Sequence, residues 1–226
     1  VTAVSRDLAA KVQTHLQLHI DDAHVHAMPA AAGERTWTIG GGGLITVARL
    51  IPQKRVELAI EALAHIRAVG QEVTLTIVGD GPDRARLEQV AHSQGVTDAV
   101  TFVGAVAPDQ VSKYLATADV MLFPAAHEGF GLVAAEALMS GVAVVACWDG
   151  GGVLDIVPEK GAGRLVIPRP EAIADATIDL LNDRARAASA RAEGERWRSK
   201  LAPDTVAARC LTWYREACDH VEAFGG

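Results

Sequence analysis

Apolar positions along the chain follow two alternating rhythms. Six short, nearly continuous apolar runs stand out: Leu44–Ala48, Val73–Val78, Val100–Val103, Val120–Phe123, Val142–Ala146 and Leu165–Ile167. Each is short and sits beside glycine, proline or aspartate, the signature of strands buried on both faces. Between them, apolar residues recur at the helical period over Val56–Val69, Asp83–Ser93, Pro108–Thr117 and Gly131–Ser140, with a shorter segment near Val153–Val157. Glu171–Asn182, Asp183–Arg198 and Pro203–Glu222 continue that period to the end. Alternation of strand and helix predicts the α/β class, with a doubly wound parallel sheet. Ligands on such sheets bind beyond the carboxyl ends of the strands, at the switch point.

The first residues break this rhythm. Val1–Ser5 reads as a strand end, Arg6–Leu18 as a helix capped by Ser5, and His24–Met28 as a second strand. The small residues of Ala30–Thr36 and Gly40–Gly43 form a flexible stretch. Three units are therefore expected: an appendage over 1–36, the main α/β domain over 37–200, and a closing helix over 201–226. About 30 residues are too few for a domain of their own. The chain opens on Val1 rather than methionine, and a fragment is the expectation.

Composition changes this picture little. Half the residues are apolar and only 4% aromatic, so alanine, valine and leucine must build the core. A net charge of −7 argues against a general binder of nucleic acid or anionic membranes. Cys210 and Cys218 fall on one expected helix, about 12 Å apart and too far for a disulfide. With Cys147 they make an odd, scattered set that reads as a reducing cytoplasm, and peripheral attachment to the inner membrane face is compatible with it. No signal peptide is visible, and Glu136, Ser140 and Gly141 interrupt the longest apolar stretch.

The candidate chemistry lies in the loops that follow the strands. Arg49 and Lys54 follow the first run, where a guanidinium fork and an ammonium suit a diphosphate; a solvated surface pair has the same spacing. Gly79, Asp80 and Gly81 follow the second, where bare backbone permits a tight turn and the close approach of a ligand. A dinucleotide fingerprint would need glycine where Arg84 stands and an acid where Val100 and Thr101 stand, so a plain strand-to-helix turn fits better. Gly104-Ala105-Val106 after the third run offers main chain to a flat base, or is simply a loop. After the fourth run comes Glu128-Gly129-Phe130-Gly131-Leu132, with Glu136 eight positions beyond Glu128. Free amides at that helix start favour negative charge or sugar oxygens. A carboxylate among Ala134, Ala135, Ala137 and Leu138 needs hydroxyl donors, such as those of a ribose, or a surface arginine. Gly150-Gly151-Gly152 forms one more bare loop on the same edge.

Taken in order, Ala48-Arg49-Leu50-Ile51-Pro52-Gln53-Lys54, Val78-Gly79-Asp80-Gly81-Pro82, Phe102-Val103-Gly104, Ala118-Asp119-Val120, Glu128-Gly-Phe-Gly-Leu with Glu136-Ala-Leu, Gly150–Gly152 and Gly163–Val166 closely resemble the retaining GT-B glycosyltransferases of family four, the group 1 transferases. The resemblance covers about Leu44 to Asn182. It implies the Rossmann-like carboxyl-terminal domain that holds a nucleotide-sugar donor (UDP-, GDP- or ADP-linked), with no cofactor and no metal. By motif, Arg49 and Lys54 would bind the donor diphosphate and stabilise the leaving group. Glu128 with the amides of Gly129, Phe130, Gly131 and Leu132 would hold the sugar and distal phosphate; Arg49, Lys54 and Glu128 form the implied catalytic set. Gly79, Asp80 and Gly81 would line the donor site, Val103 and Gly104 would lie by the base, and Glu136 would take the ribose hydroxyls. Residues 1–32 resemble the end of the family's amino-terminal domain, and the last helix resembles the one that crosses back to it. That domain, or a partner subunit supplying it, is the implied partner, and its exposed face is a route to homo-oligomers. Departures from the pattern are Ala125 for a common serine, Arg55 for the usual glycine, Ala143 for a usual proline, and the glycines of 40–43.

Two other classes of reading stand beside this one. His19, Asp21, Asp22, His24 and His26 are dense enough to raise a metal site, with His24 and His26 on one side of a strand, although a polar surface loop and strand end account for them better. His127 beside Glu128 is in reach of a sugar or is a surface histidine. A non-catalytic nucleotide-sugar module, a subunit of a split transferase, or a sugar-nucleotide epimerase of similar fold completes the set. The glutamate pair with the Arg49/Lys54 loop favours transfer over epimerisation.

Overall fold

A computed structural model of the protein describes residues 2–22, 25, 28–29 and 43–224. Its centre is a six-stranded sheet, all parallel, made of β1 (Gly43–Val47), β2 (Thr74–Val78), β3 (Val100–Gly104), β4 (Val120–Phe123), β5 (Ala143–Cys147) and β6 (Gly163–Val166). The spatial order is β3-β2-β1-β4-β5-β6. Strand order reverses between β1 and β4, so the loops leaving those two strands diverge and open a crevice at their carboxyl ends.

Period-two alternation explains why the runs are strands. Leu44 of β1, Val120 and Leu122 of β4, and Ala143, Val145 and Cys147 of β5 face one core layer, under α2 (Val56–Ala68), α3 (Arg84–Ser93) and α6 (Pro170–Asn182). Ile45, Met121, Phe123, Val144 and Ala146 face the other, under α4 (Pro108–Leu115), α5 (Leu132–Met139) and α7 (Arg186–Leu201). Both faces are dry, which is why these strands read as continuous apolar runs rather than half-polar ones. Small side chains let the layers approach closely. At Gly194 of α7 an added Cβ would stand 2.4 Å from the Leu138 carbonyl of α5.

The amino-terminal helix α1 (Arg6–Leu16) is capped as expected: Ser5 Oγ accepts from the Leu8 N–H at 3.2 Å. The expected strand over His24–Met28 lies partly outside the described residues; within them, Val25 makes one parallel bridge to Ala3. The segment near Val153–Val157 is a single 3-10 turn, Gly152–Asp155, rather than an α-helix. The last helix, α8 (Pro203–Phe224), leaves Leu211 and Tyr214 exposed. No described helix is long and apolar enough to cross a membrane.

Candidate functional site

The crevice is built by three loops. After β1 the chain makes a 3-10 turn over Pro52–Lys54, started by the fixed φ of Pro52. This turn aims the Lys54 ammonium at the Glu128 carboxylate in the loop after β4, and the two form an ion pair. Both side chains are largely withdrawn from solvent, at 15% and 16% exposure. Glu128 is fixed by its backbone as well. Its N–H donates to the Gly150 carbonyl at 2.8 Å, and its carbonyl accepts from the Gly152 N–H at 2.7 Å. These bonds explain the glycines after β5: a Cβ on Gly151 would lie 2.6 Å from the Glu128 carbonyl oxygen, and one on Gly152 would lie 2.2 Å from that of Gly129.

Lys54 and Glu128 line a cleft of about 210 Å³ with Thr46, Ala125, Gly131 and Leu132. Its floor is the switch point between β1 and β4, and one wall is the start of α5. Gly131 takes φ +90° there, and no side chain caps the helix. The first amides of α5 thus keep no intrahelical acceptor and sit at the cleft. Glu136 lies three and four positions beyond Val133 and Leu132, both of which line the cleft, so it stands on the same helix face. Among the described residues none pairs with its carboxyl group, and burial pushes its pKa up. The side chain is half-buried.

A second cleft of about 300 Å³ shares Val47 and Ala48 with the first and runs toward β2 and β3, past Arg49, Gly79, Asp80, Ala105 and Val106. Arg49 is exposed at its mouth. The expected site residues therefore divide. Lys54, Glu128, Gly131 and Leu132 meet in the first cleft, and Arg49, Gly79 and Asp80 in the second. Gly129 is exposed and open, whereas Phe130 is buried in the core. Gly81 packs against β1's own loop: a Cβ there would stand 2.3 Å from the Leu50 carbonyl oxygen. Gly79 does likewise, at 1.9 Å from that of Ala48, with φ +128°. Both glycines answer a need for loop-to-loop contact first. Val103 and Gly104 end β3 beside this cleft, where the Gly79 N–H donates to the Gly104 carbonyl at 2.8 Å, and Ala105 and Val106 of the same expected loop line it.

Arg55 had no assigned role from sequence, yet it joins all three loops. Its Nε donates to the Pro124 carbonyl at 2.7 Å, and its two terminal nitrogens reach the two Asp149 oxygens at 2.8 and 2.7 Å. Hydrogen bonding to the Asp149 carboxylate raises the Arg55 pKa, and the same bonds lower that of Asp149. Cys147 lies beneath this pair, its thiol pushed up to about 11 by burial and so inert as a nucleophile. The dense histidines before β1 do not make a described centre. His19 Nε2 lies 2.6 Å from Asp21, Asp22 faces Arg6, and His24 and His26 lie outside the described residues. His127 is exposed, in the left-handed region at φ +53°.

A six-stranded parallel sheet with a cation, a carboxylate and a helix start at its switch point defines a doubly wound α/β domain with a candidate ligand site at that edge. The chain belongs to the group 1 glycosyl transferases, whose family model matches residues 42–197. It is 36% identical over 181 residues to a GDP-mannose-dependent alpha-(1-6)-phosphatidylinositol monomannoside mannosyltransferase of Mycobacterium tuberculosis, covering 76% of this chain and 47% of that protein. It is 31% identical over 159 residues to a 2-deoxystreptamine glucosyltransferase of Streptomyces kanamyceticus, covering 70% and 41%. The chain thus spans about half the length of the curated relatives it matches. Among solved structures, a sucrose-phosphate synthase from Thermosynechococcus elongatus superposes with a TM-score of 0.82 at 24% identity, over 97% of this chain and 58% of the other. Anabaena HepE in complex with UDP and glucose does so at 0.71 and 24%, over 77% and 48%. At this identity the likeness is one of fold alone.

Proposed function

We propose that this chain carries the donor half of a glycosyl transfer: it holds a nucleotide-diphosphate hexose whose sugar passes to an acceptor with retention of configuration. The observation that carries this reading is the Lys54–Glu128 pair beside the free amides of α5, in one cleft at the switch point. Both charges are largely buried, which is costly without a partner. Here each satisfies the other. A diphosphate offers Lys54 an anion and a sugar offers Glu128 hydroxyls, so binding exchanges one satisfied state for another. An ammonium and helix amides held ready where charge develops on the leaving phosphate would stabilise the transition state. The neighbouring cleft, with Arg49 at its mouth and the ends of β2 and β3 as its wall, has room for the nucleoside, and Glu136 on α5 for its ribose hydroxyls. The names of the relatives divide between mannosyl and glucosyl transfer and one specifies GDP-mannose, so a GDP-sugar is the first donor to try and the reading extends to the hexose class.

Calorimetric titration with GDP-, UDP- and ADP-sugars tests this. One of them should bind, and Lys54→Ala should weaken that binding by about 1.5–3 kcal/mol, the scale of a charge-assisted hydrogen bond. Binding of the free nucleoside should hardly change. Equal loss for nucleoside and sugar nucleotide would sink the assignment. A second reading, a module that binds the sugar nucleotide without transferring it, has one observation in its favour: both clefts lie at a single sheet edge, lined by its loops, strand ends and the helices beside them. Binding with no transfer to any acceptor, even beside an acceptor-binding domain, would select it.

A further inference from the structure

Arg55 sits in a backbone conformation that arginine does not prefer. Its φ and ψ are +46° and +40°, in the left-handed region, where a side chain of L configuration crowds the backbone. Helix propensity cannot be the reason for keeping it, since the residue ends one turn and precedes α2. Its side chain supplies the reason. All three faces of the guanidinium used here meet oxygen: the Pro124 carbonyl at 2.7 Å through Nε, and the Asp149 carboxylate at 2.8 and 2.7 Å through the fork. At 20% exposure for Arg55 and 38% for Asp149, this is a shielded, bidentate pair of the strong kind.

What the fork joins matters more than its strength. Arg55 follows Lys54 directly. Pro124 opens the loop that carries Glu128. The Asp149 carbonyl accepts the His127 N–H at 2.9 Å, and the next residue, Gly150, accepts the Glu128 N–H at 2.8 Å. A second stitch runs parallel: the Ala126 N–H donates to the Gln53 carbonyl at 3.0 Å, and Gln53 Nε2 donates back to the Ala126 carbonyl at 3.0 Å. Lys54 and Glu128 are thus set against each other by a frame whose one charged joint is Arg55–Asp149.

We infer that Arg55 and Asp149 are positioning residues: their fork sets the Lys54–Glu128 spacing, and with it the affinity for the diphosphate group of the ligand. This rests on the reading of the cleft as a donor site. Neither residue lines the cleft, so neither is a catalytic residue.

Arg55→Gly is the informative variant, because glycine accepts φ +46° at no steric cost and the fold should be kept. Affinity for GDP and UDP should fall by about tenfold, the scale expected when a site loses its supporting frame. Affinity for guanosine and uridine should stay the same, as a merely structural role would not discriminate. Arg55→Lys keeps the charge and loses the fork, and should recover only part of the loss. Asp149→Asn combined with Arg55→Gly should lose no more than Arg55→Gly alone. Amide hydrogen exchange at Glu128 and Gly152 should quicken in Arg55→Gly while exchange in β1 and β4 does not. Unchanged GDP and UDP affinity, or equal loss for nucleotide and nucleoside, would overturn the inference. If the parent protein binds none of GDP, UDP and ADP, the donor-site reading fails, and exchange then decides the frame by itself: unaltered exchange at Glu128 and Gly152 overturns it.

Discussion

Glu136 is the residue whose chemistry separates most clearly from its packing. Burial raises its pKa, so the folded protein holds that proton more tightly than the unfolded chain does. Between the usual carboxyl range and the raised folded value the native state binds more protons, and stability falls as pH rises through that window. Above it the cost stays. Glu136→Gln removes the cost while keeping the shape. Melting temperatures should therefore be higher for Glu136→Gln than for the parent at neutral pH, with the difference shrinking as pH falls through the usual glutamate range and vanishing well below it, where the acid is protonated in either state. A difference independent of pH would mean the carboxyl group is solvated. A bound nucleotide should erase the neutral-pH difference if ribose hydroxyls satisfy the carboxylate. Glu128 predicts differently because it already has Lys54 as a partner. Glu128→Ala should leave nucleoside affinity intact and lose discrimination between donor sugars, read by competition between GDP-mannose and GDP-glucose. A variant that still ranks the two sugars as the parent does would remove Glu128 from sugar recognition.

At the scale of elements, α5 is the piece on which the site depends, and its seat is a close contact. Gly194 lets α7 approach α5 until an added Cβ would stand 2.4 Å from the Leu138 carbonyl and 3.1 Å from Met139 Cα. Two effects oppose each other in Gly194→Ala. Alanine favours the helix by about 1 kcal/mol over glycine. A clash with backbone atoms has no side chain to turn away and costs about 1–3 kcal/mol as the helices part. The clash should win, and urea unfolding should give a net loss; a gain near the propensity value would show that α7 rides loosely on α5. The elements themselves were legible because their burial is two-sided. β4 occupies the residues its apolar run marked, and the other strands differ by one or two residues at their ends. The pairing within the site was not legible to the same degree. Lys54 and Glu128 could each be marked by residue type beside a strand end, but nothing local says that they touch. Arg55 and Asp149 are 94 positions apart, and their fork exists only because β1, β4 and β5 lie side by side. The turn at Gly152–Asp155 was missed as 3-10 for a related reason: its length is set by the close approach of the Glu128 loop, not by its own period.

At the scale of the whole molecule, strand order places every candidate group on one edge of one sheet. The loops of β1 and β4 diverge at the reversal, those of β2 and β3 extend the crevice to one side, and that of β5 braces it from behind. The result is an open face rather than an enclosed chamber: one cleft of about 210 Å³ beside another of about 300 Å³, walled by these loops, the strand ends and the helices α4 and α5 beside them. Binding a sugar nucleotide requires no more than that. Transfer requires donor and acceptor to be held together and water to be kept from the reacting carbon, and these loops provide neither an acceptor seat nor a cover. Residues 1–226 should therefore bind the sugar nucleotide and leave it intact. Transfer should begin only when a second domain that binds acceptor is joined, in the same chain or as a separate subunit. The exposed Leu16, Leu18, Leu211 and Tyr214 lie on α1, just beyond it, and on α8, where such a domain would find apolar contacts. The check is a transfer assay with radiolabelled GDP-mannose and UDP-glucose against a panel of acceptors, run beside sedimentation of the same sample. Brisk, acceptor-dependent transfer by a monodisperse monomer of residues 1–226 would mean that this one edge closes over donor and acceptor by itself, and would overturn the reading of an open donor face.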